Sequence, residues 1–153
     1  MKLHPVLLAT LVAGTLDILS AFVFAGMAGM GPVGVLQYVA SGPFGDGAKT
    51  AQGWAVVGLA VHYAIMACMA GAFWLMAKRM PALSSRPVLI GIAYGFALWV
   101  VMYWIVKPLR WPSAPLPHTA WGIGNALFSH CLLVGIPIAL ITARGLPGRA
   151  ARS

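Results

Sequence analysis

Asp17 interrupts an apolar run, Leu3 to Gly31, whose only other ionisable group is His4, and the chain has one further acid, Asp46. Two histidines, His62 and His130, also sit inside apolar segments, and Asn125 and Ser129 fall four apart just before the second of them. Three kinds of chemistry suit such a set. A buried hydrogen-bond network would fix which helices pair and in what register. A chain of carboxylate and imidazole would carry protons or a solute, since histidine titrates near neutral pH. A cofactor site would use His62 and His130 as axial ligands to haem b, with Gly58 one turn before His62 leaving room for a flat ring. Alternatively it would use His62, Met66 and Met69, at i, i+4 and i+7, as soft donors to copper. The polar layer is therefore read as Asp17, His62, Asn125, Ser129 and His130, with Ser20 and Tyr63 as additions. The first reading, a structural or accessory role, is the leading expectation. Transport is the runner-up, and no cofactor is expected.

Other chemistry is excluded by what the chain lacks. It carries no GxSxG, HExxH, P-loop or GxGxxG sequence, and Asp46, flanked by Gly45 and Gly47, reads as a turn residue instead of half of a catalytic carboxylate pair. No enzyme is expected. Cys68 and Cys131 lie in apolar segments without a CxxC or similar ligand spacing, so each is expected to be a buried free thiol.

The elements that hold these residues follow from composition. Sixty-one per cent of residues are hydrophobic and eight per cent charged, against about a quarter charged in soluble domains. Four segments reach the roughly 20 apolar residues that a spanning helix needs: about 6–29, 54–77, 88–106 and 121–143. In lipid, where no water satisfies backbone groups, such runs are helices. The chain is expected to be all-α, a polytopic four-transmembrane-helix bundle forming a single transmembrane domain over residues 1–153. The first run exceeds the about 7–15 residues of a signal-peptide core and contains Asp17, so it reads as a retained span.

The net charge of +8 is not a nucleic-acid footprint, because the ten lysines and arginines cluster at the ends of the apolar runs. Lys2, Lys78, Arg79, Arg86, Arg144, Arg149 and Arg152 fall on one side, and Lys49, Lys107 and Arg110 on the other. The positive-inside rule puts both termini and the middle loop in the cytoplasm, against the vote of Lys107 and Arg110. Asp17 then lies about twelve residues from the outer end of its span, roughly 18 Å deep, and His62 and His130 roughly 14 Å deep, which makes one polar layer. Asp17 is expected to face the bundle interior and reach one or both histidines.

Between the first two spans, "VGVLQYVASG" is bracketed by Gly31-Pro32 and Gly42-Pro43 and reads as a short interfacial or re-entrant helix on the outer side, with an ordered loop as the alternative. Trp54, Trp74, Tyr103, Trp104, Trp111 and Trp121 read as interfacial anchors. The stretches "GWAVVGLAVH" and "AWGIGNALFSH" give the two halves a faint likeness, as of two hairpins in one orientation.

The stretches "AGTLDILSAFVF", "LQYVASGPFGDGA", "GWAVVGLAVHYAIM", "RPVLIGIAYGFALWVVMYWIVKPL" and "LFSHCLLVGIPIAL" together resemble a family of small uncharacterised bacterial membrane proteins with four predicted spans. The resemblance covers nearly the whole chain. It implies a bacterial inner-membrane protein with Asp17, His62 and His130 at family-type positions, and it brings no activity with it. The bilayer is the expected environment, with association with itself or with a larger membrane complex left open.

Overall fold

A computed structural model describes residues 3–116 and 118–146. The described residues form five helices: α1 (Pro5–Met27), α2 (Pro32–Phe44), α3 (Trp54–Arg79), α4 (Pro87–Arg110) and α5 (Ala120–Gly145), with single 3₁₀ turns at Asp46–Lys49 and Pro81–Ser84. Local chemistry sets their ends. His4 accepts the Val6 N–H at the start of α1 and Thr119 accepts the Gly122 N–H at the start of α5, while Pro5, Pro32 and Pro87 occupy first-turn positions where a missing N–H costs nothing. Helix α1 stops where Gly29 turns to φ +87°, with Met30 N–H donating to the Ala25 carbonyl and Gly29 N–H to that of Gly26.

Helices α1, α3, α4 and α5 have 23, 26, 24 and 26 residues. At about 1.5 Å per residue each exceeds the roughly 30 Å hydrocarbon core, whereas the 13 residues of α2 do not. The outer surface is correspondingly apolar: Val23, Val56, Leu89 and Phe96 are 61%, 75%, 58% and 51% exposed, an arrangement that lipid tolerates and water does not. This is a multi-pass transmembrane helical bundle. Cys68, expected inside, is exposed on this surface, and Cys131 is half-buried. The inward stripe of α3 runs His62, Met66, Ala70, Phe73, Ala77, and Cys68 lies two residues, about 200°, away from Met66.

Helix α5 is central, packing on α1, α3 and α4, while α2 lies against α3. The buried contacts use small residues, with Ala9 and Ala13 of α1 meeting Ala70 and Phe73 of α3 and Ile138 and Ala139 of α5. Without a hydrophobic force between helices in lipid, such close van der Waals contact supplies the association energy. Glycine carries this furthest between α4 and α5. A methyl added at Gly135 would overlap the Gly91 carbonyl oxygen, one at Gly95 would overlap the His130 carbonyl oxygen, and one at Gly91 would lie 2.7 Å from the Ile136 Cα. His4 packs against Trp74 and Gly145 against Pro5, so the starts of α1, the end of α3 and the end of α5 share one end of the bundle.

Arg110 ties down the opposite end. From the last turn of α4 it donates from Nε to the carbonyls of Ser41 (3.0 Å) and Gly42 (2.8 Å) and from a terminal nitrogen to that of Ser41 (2.6 Å), adding charged donors to the carbonyls at the end of α2. The same nitrogen meets Asp46 Oδ1 at 2.9 Å, which Lys49 also contacts at 3.1 Å. Arg110→Ala is expected to cost about 1.5–3 kcal/mol through the charged bonds to carbonyl oxygens, read as a lower unfolding midpoint in detergent. The Lys49 and Arg110 hydrogen bonds hold the Asp46 carboxyl below the ordinary carboxylate range. Its contribution is thus complete above that range and disappears as pH falls through the lowered value. Asp46→Asn should remove that acid-side slope from the stability profile, and an unchanged slope would sink the assignment.

Candidate functional site

All five helices line a cavity of about 300 Å³. Its inner part is formed by Asp17 of α1, His62, Met66 and Met69 of α3, and His130 and Val134 of α5, and its other end by Tyr38 and Gly42 of α2, Lys107 of α4 and Trp111. Met102 and Tyr103 of α4 lie between.

Backbone close approach orients His62. Gly14 gives α3 room, since a methyl there would sit 2.8 Å from Tyr63 Cε1, and its carbonyl accepts from His62 Nε2 at 2.8 Å. A carbonyl can only accept, so in the neutral ring Nε2 carries the hydrogen and Nδ1 holds a lone pair. His130 lies where α5 widens into π-helical turns over Phe128–Gly135, and α4 does the same over Val101–Val106, a distortion found often at functional sites. His130 Nδ1 donates to the Ala126 carbonyl at 2.9 Å, leaving Nε2 as its lone-pair nitrogen. The Tyr103 ring meets the imidazole at 5.8 Å in an edge-on contact.

Asp17 is within electrostatic reach of His130 and His62. Among the described residues, however, its carboxylate accepts no hydrogen bond and forms no ion pair, in place of the direct pairing expected from shared depth. The reason is local, because each imidazole is already committed to a backbone carbonyl. The hydrogen bonds that cross between helices are others. Ser20 donates to its own helix at the Asp17 carbonyl (2.8 Å), so Ser129 donates to Ser20 (2.9 Å), joining α1 to α5. Thr15 and Tyr63 hydroxyls meet at 2.8 Å, joining α1 to α3, and Tyr94 donates to the Met69 carbonyl, joining α4 to α3. Asn125 is half-buried, makes no side-chain hydrogen bond among the described residues and does not line the cavity.

The space beside Gly58 is filled by α2: a methyl there would overlap the Leu36 carbonyl oxygen. No flat ring fits against it, and His62 offers the hindered Nδ1 because its Nε2 is engaged, so the two histidines do not suit a haem held between them. Among the described residues no group of three or more His, Cys, Asp or Glu side chains is close enough to hold a metal ion. Met66 and Met69 do line the cavity with His62. The chain matches no protein-family profile, no curated protein and no solved structure. Chemistry must therefore be read from geometry. Sequence reasoning missed Met102 and Lys107 as lining residues, and it had Tyr103 and Trp111 as anchors only. Both aromatics sit at interfacial positions that satisfy either role, so their sequence carried no separate signal.

Proposed function

We propose that this chain is a small carrier or channel of the bacterial inner membrane, not an enzyme, whose bundle houses a proton-titratable cavity for a small solute. One observation carries the reading: Asp17 lines a 300 Å³ cavity with two histidines and has no hydrogen-bond partner among the described residues. An intramembrane carboxylate is costly, and a purely structural one would be expected to spend its acceptors on neighbouring helices. The alternative, a structural or accessory member of a membrane complex, is favoured by the Ser20–Ser129 and Thr15–Tyr63 bonds, which link helices as such networks do. Those bonds, however, leave Asp17 out.

The family resemblance and the basic residues support the inner membrane with termini and the turn at 80–86 in the cytoplasm. Lys78, Arg79, Arg86 and Arg144 gather at one end. The two residues that oppose this orientation are occupied structurally, Arg110 by the carbonyls of α2 and Lys107 by the Pro115 carbonyl at 2.9 Å. Asp17→Asn keeps the size and hydrogen bonding of the side chain and removes its titration. In liposomes loaded with a pH-sensitive dye, the unaltered chain is expected to pass protons under an imposed gradient and the variant, with an unchanged unfolding midpoint, to lose that flux. Equal traces from the two would favour the accessory role.

A further inference from the structure

Resting on the reading of Asp17 as a titratable group in a solute cavity, we propose that the occupant is a small amine with an apolar body, bound as its ammonium against Asp17, His62 and His130. The inner polar lining dictates this. Asp17 brings two carboxylate oxygens without partners among the described residues. His62 and His130 have each given their N–H to a backbone carbonyl, so in the neutral state each retains only a lone pair. At this inner end two carboxylate oxygens and two imidazole nitrogens are acceptors, while the donors of Tyr38, Tyr103, Trp111 and Lys107 line the rest of the cavity, so the inner end calls for a ligand that brings several N–H groups and a positive charge. An alcohol brings one O–H and no charge, and a carboxylate brings no donor and a negative charge.

The remaining lining fixes the body. Ile65, Met66, Met69, Met102 and Val134 make the walls apolar, and methionine adapts to irregular shapes. The cavity holds the equivalent of about ten waters at about 30 Å³ each, far more than a lone metal ion occupies and near the lower limit for organic ligand sites.

The other end is positive. Lys107 lies over the Tyr103 ring at 5.5 Å, Lys49 over Tyr38 at 5.7 Å and Arg110 over Trp111 at 5.1 Å. Asp46, which pairs with Lys49 and Arg110, offsets one of these three charges; the net positive charge that is left opposes a cation arriving by that route, so the amine comes in as its free base. Inside, the proton of the Asp17 carboxyl moves to the amine nitrogen: the carboxyl O–H bond breaks, a fourth bond to nitrogen forms, and an ammonium faces a carboxylate. Whatever the route, the complex holds one proton between Asp17 and the amine. Where Asp17 is protonated in the empty cavity, an ammonium from solution therefore displaces one proton on binding. Protonation of His62 or His130 opposes binding too, by adding charge and turning an acceptor into a donor. Tyr38, Tyr103 and Lys107 are the other titratable groups that line the cavity.

The test is calorimetric titration of the full chain in detergent with 2-phenylethylammonium, its trimethylammonium analogue and 2-phenylethanol. The primary ammonium is expected to bind saturably, at least about tenfold (1.4 kcal/mol) more tightly than either analogue. Its affinity should rise by up to about tenfold per pH unit across the Asp17 titration, the signature of one displaced proton. Asp17→Asn should lose the tight binding together with the roughly tenfold-per-unit pH dependence. Equal binding of the three compounds, or of the ammonium to both chains, overturns the proposal. The comparison of compounds on the unaltered chain stands even if the variant does not fold. Asp17-dependent proton flux without amine binding overturns the amine and spares the titratable cavity, whereas loss of both overturns both.

Discussion

Gly135→Ala should destabilise the bundle by an amount at or above the upper end of the about 1–3 kcal/mol that overpacking usually costs. The added methyl would overlap the Gly91 carbonyl oxygen and lie 2.8 Å from the Gly95 nitrogen and 2.9 Å from its Cα. All three are backbone atoms inside a helix, so no side chain can rotate away and the helices themselves must separate. The seam matters because α4 has little else: in its most apolar window 11% of residues are buried, against 50% for α5. Parting the seam also moves the backbone of His130, whose carbonyl oxygen touches Gly95. Gly71→Ala is the control. A methyl there meets nothing within 4 Å, and alanine is the better helix former by up to about 1 kcal/mol. Unfolding midpoints of the two variants in one detergent decide the matter, and a Gly135→Ala chain as stable as the Gly71→Ala chain would show that the seam does not hold α4.

The four spans were legible because hydropathy and length suffice to locate them; the ends moved by only a few residues, to starts set by the caps His4 and Thr119 and by Pro87 in the first turn. The seam was half legible. Gly91 and Gly95 stand four apart, the small-xxx-small spacing of close helix pairs, but nothing in the sequence names Gly135 as their partner. Gly58 was legible as a place of close approach but not as to what approaches, because a missing side chain admits a backbone as readily as a cofactor. For the site, residue counting gave depth, which brings Asp17, His62 and His130 to one cavity. It gave neither the hydrogen-bond direction of each imidazole nor the side of the helix on which Asn125 falls, since the π-helical turns of α5 break the 3.6-residue period used for such counting.

Gly58→Ala should release α2 while leaving the four-span bundle assembled. The methyl would overlap the Leu36 carbonyl oxygen and lie 2.6 Å from its carbon, so α2 must lift from α3. Elsewhere α2 is held by its buried Val35 and Ala40, the Arg110 bonds at its end, the bond from Gln37 to the Ala51 carbonyl, the stack of Tyr38 on Trp111 at 4.6 Å and the Phe44–Trp54 contact. The bundle core, by contrast, is built from α1, α3 and α5 through Ala13, Phe73 and Ile138, none of which touches this joint. Hydrogen exchange followed by mass spectrometry should therefore show faster exchange in peptides covering 32–44 with those covering 120–145 unchanged, at a cost of about 1–3 kcal/mol. Uniform acceleration through all helices would mean that α2 is integral to the bundle, and no change at 32–44 would mean that the contact is not tight. Because α2 supplies Tyr38, Val39 and Gly42 to the cavity wall, its release also exposes Asp17 and the two histidines to water. Hydration screens the carboxylate and supplies it with hydrogen bonds, so an ammonium then gains little by replacing that water. Amine binding should consequently weaken in Gly58→Ala although every residue assigned to the ligand is still present, which ties the short helix α2 to the chemistry of the site.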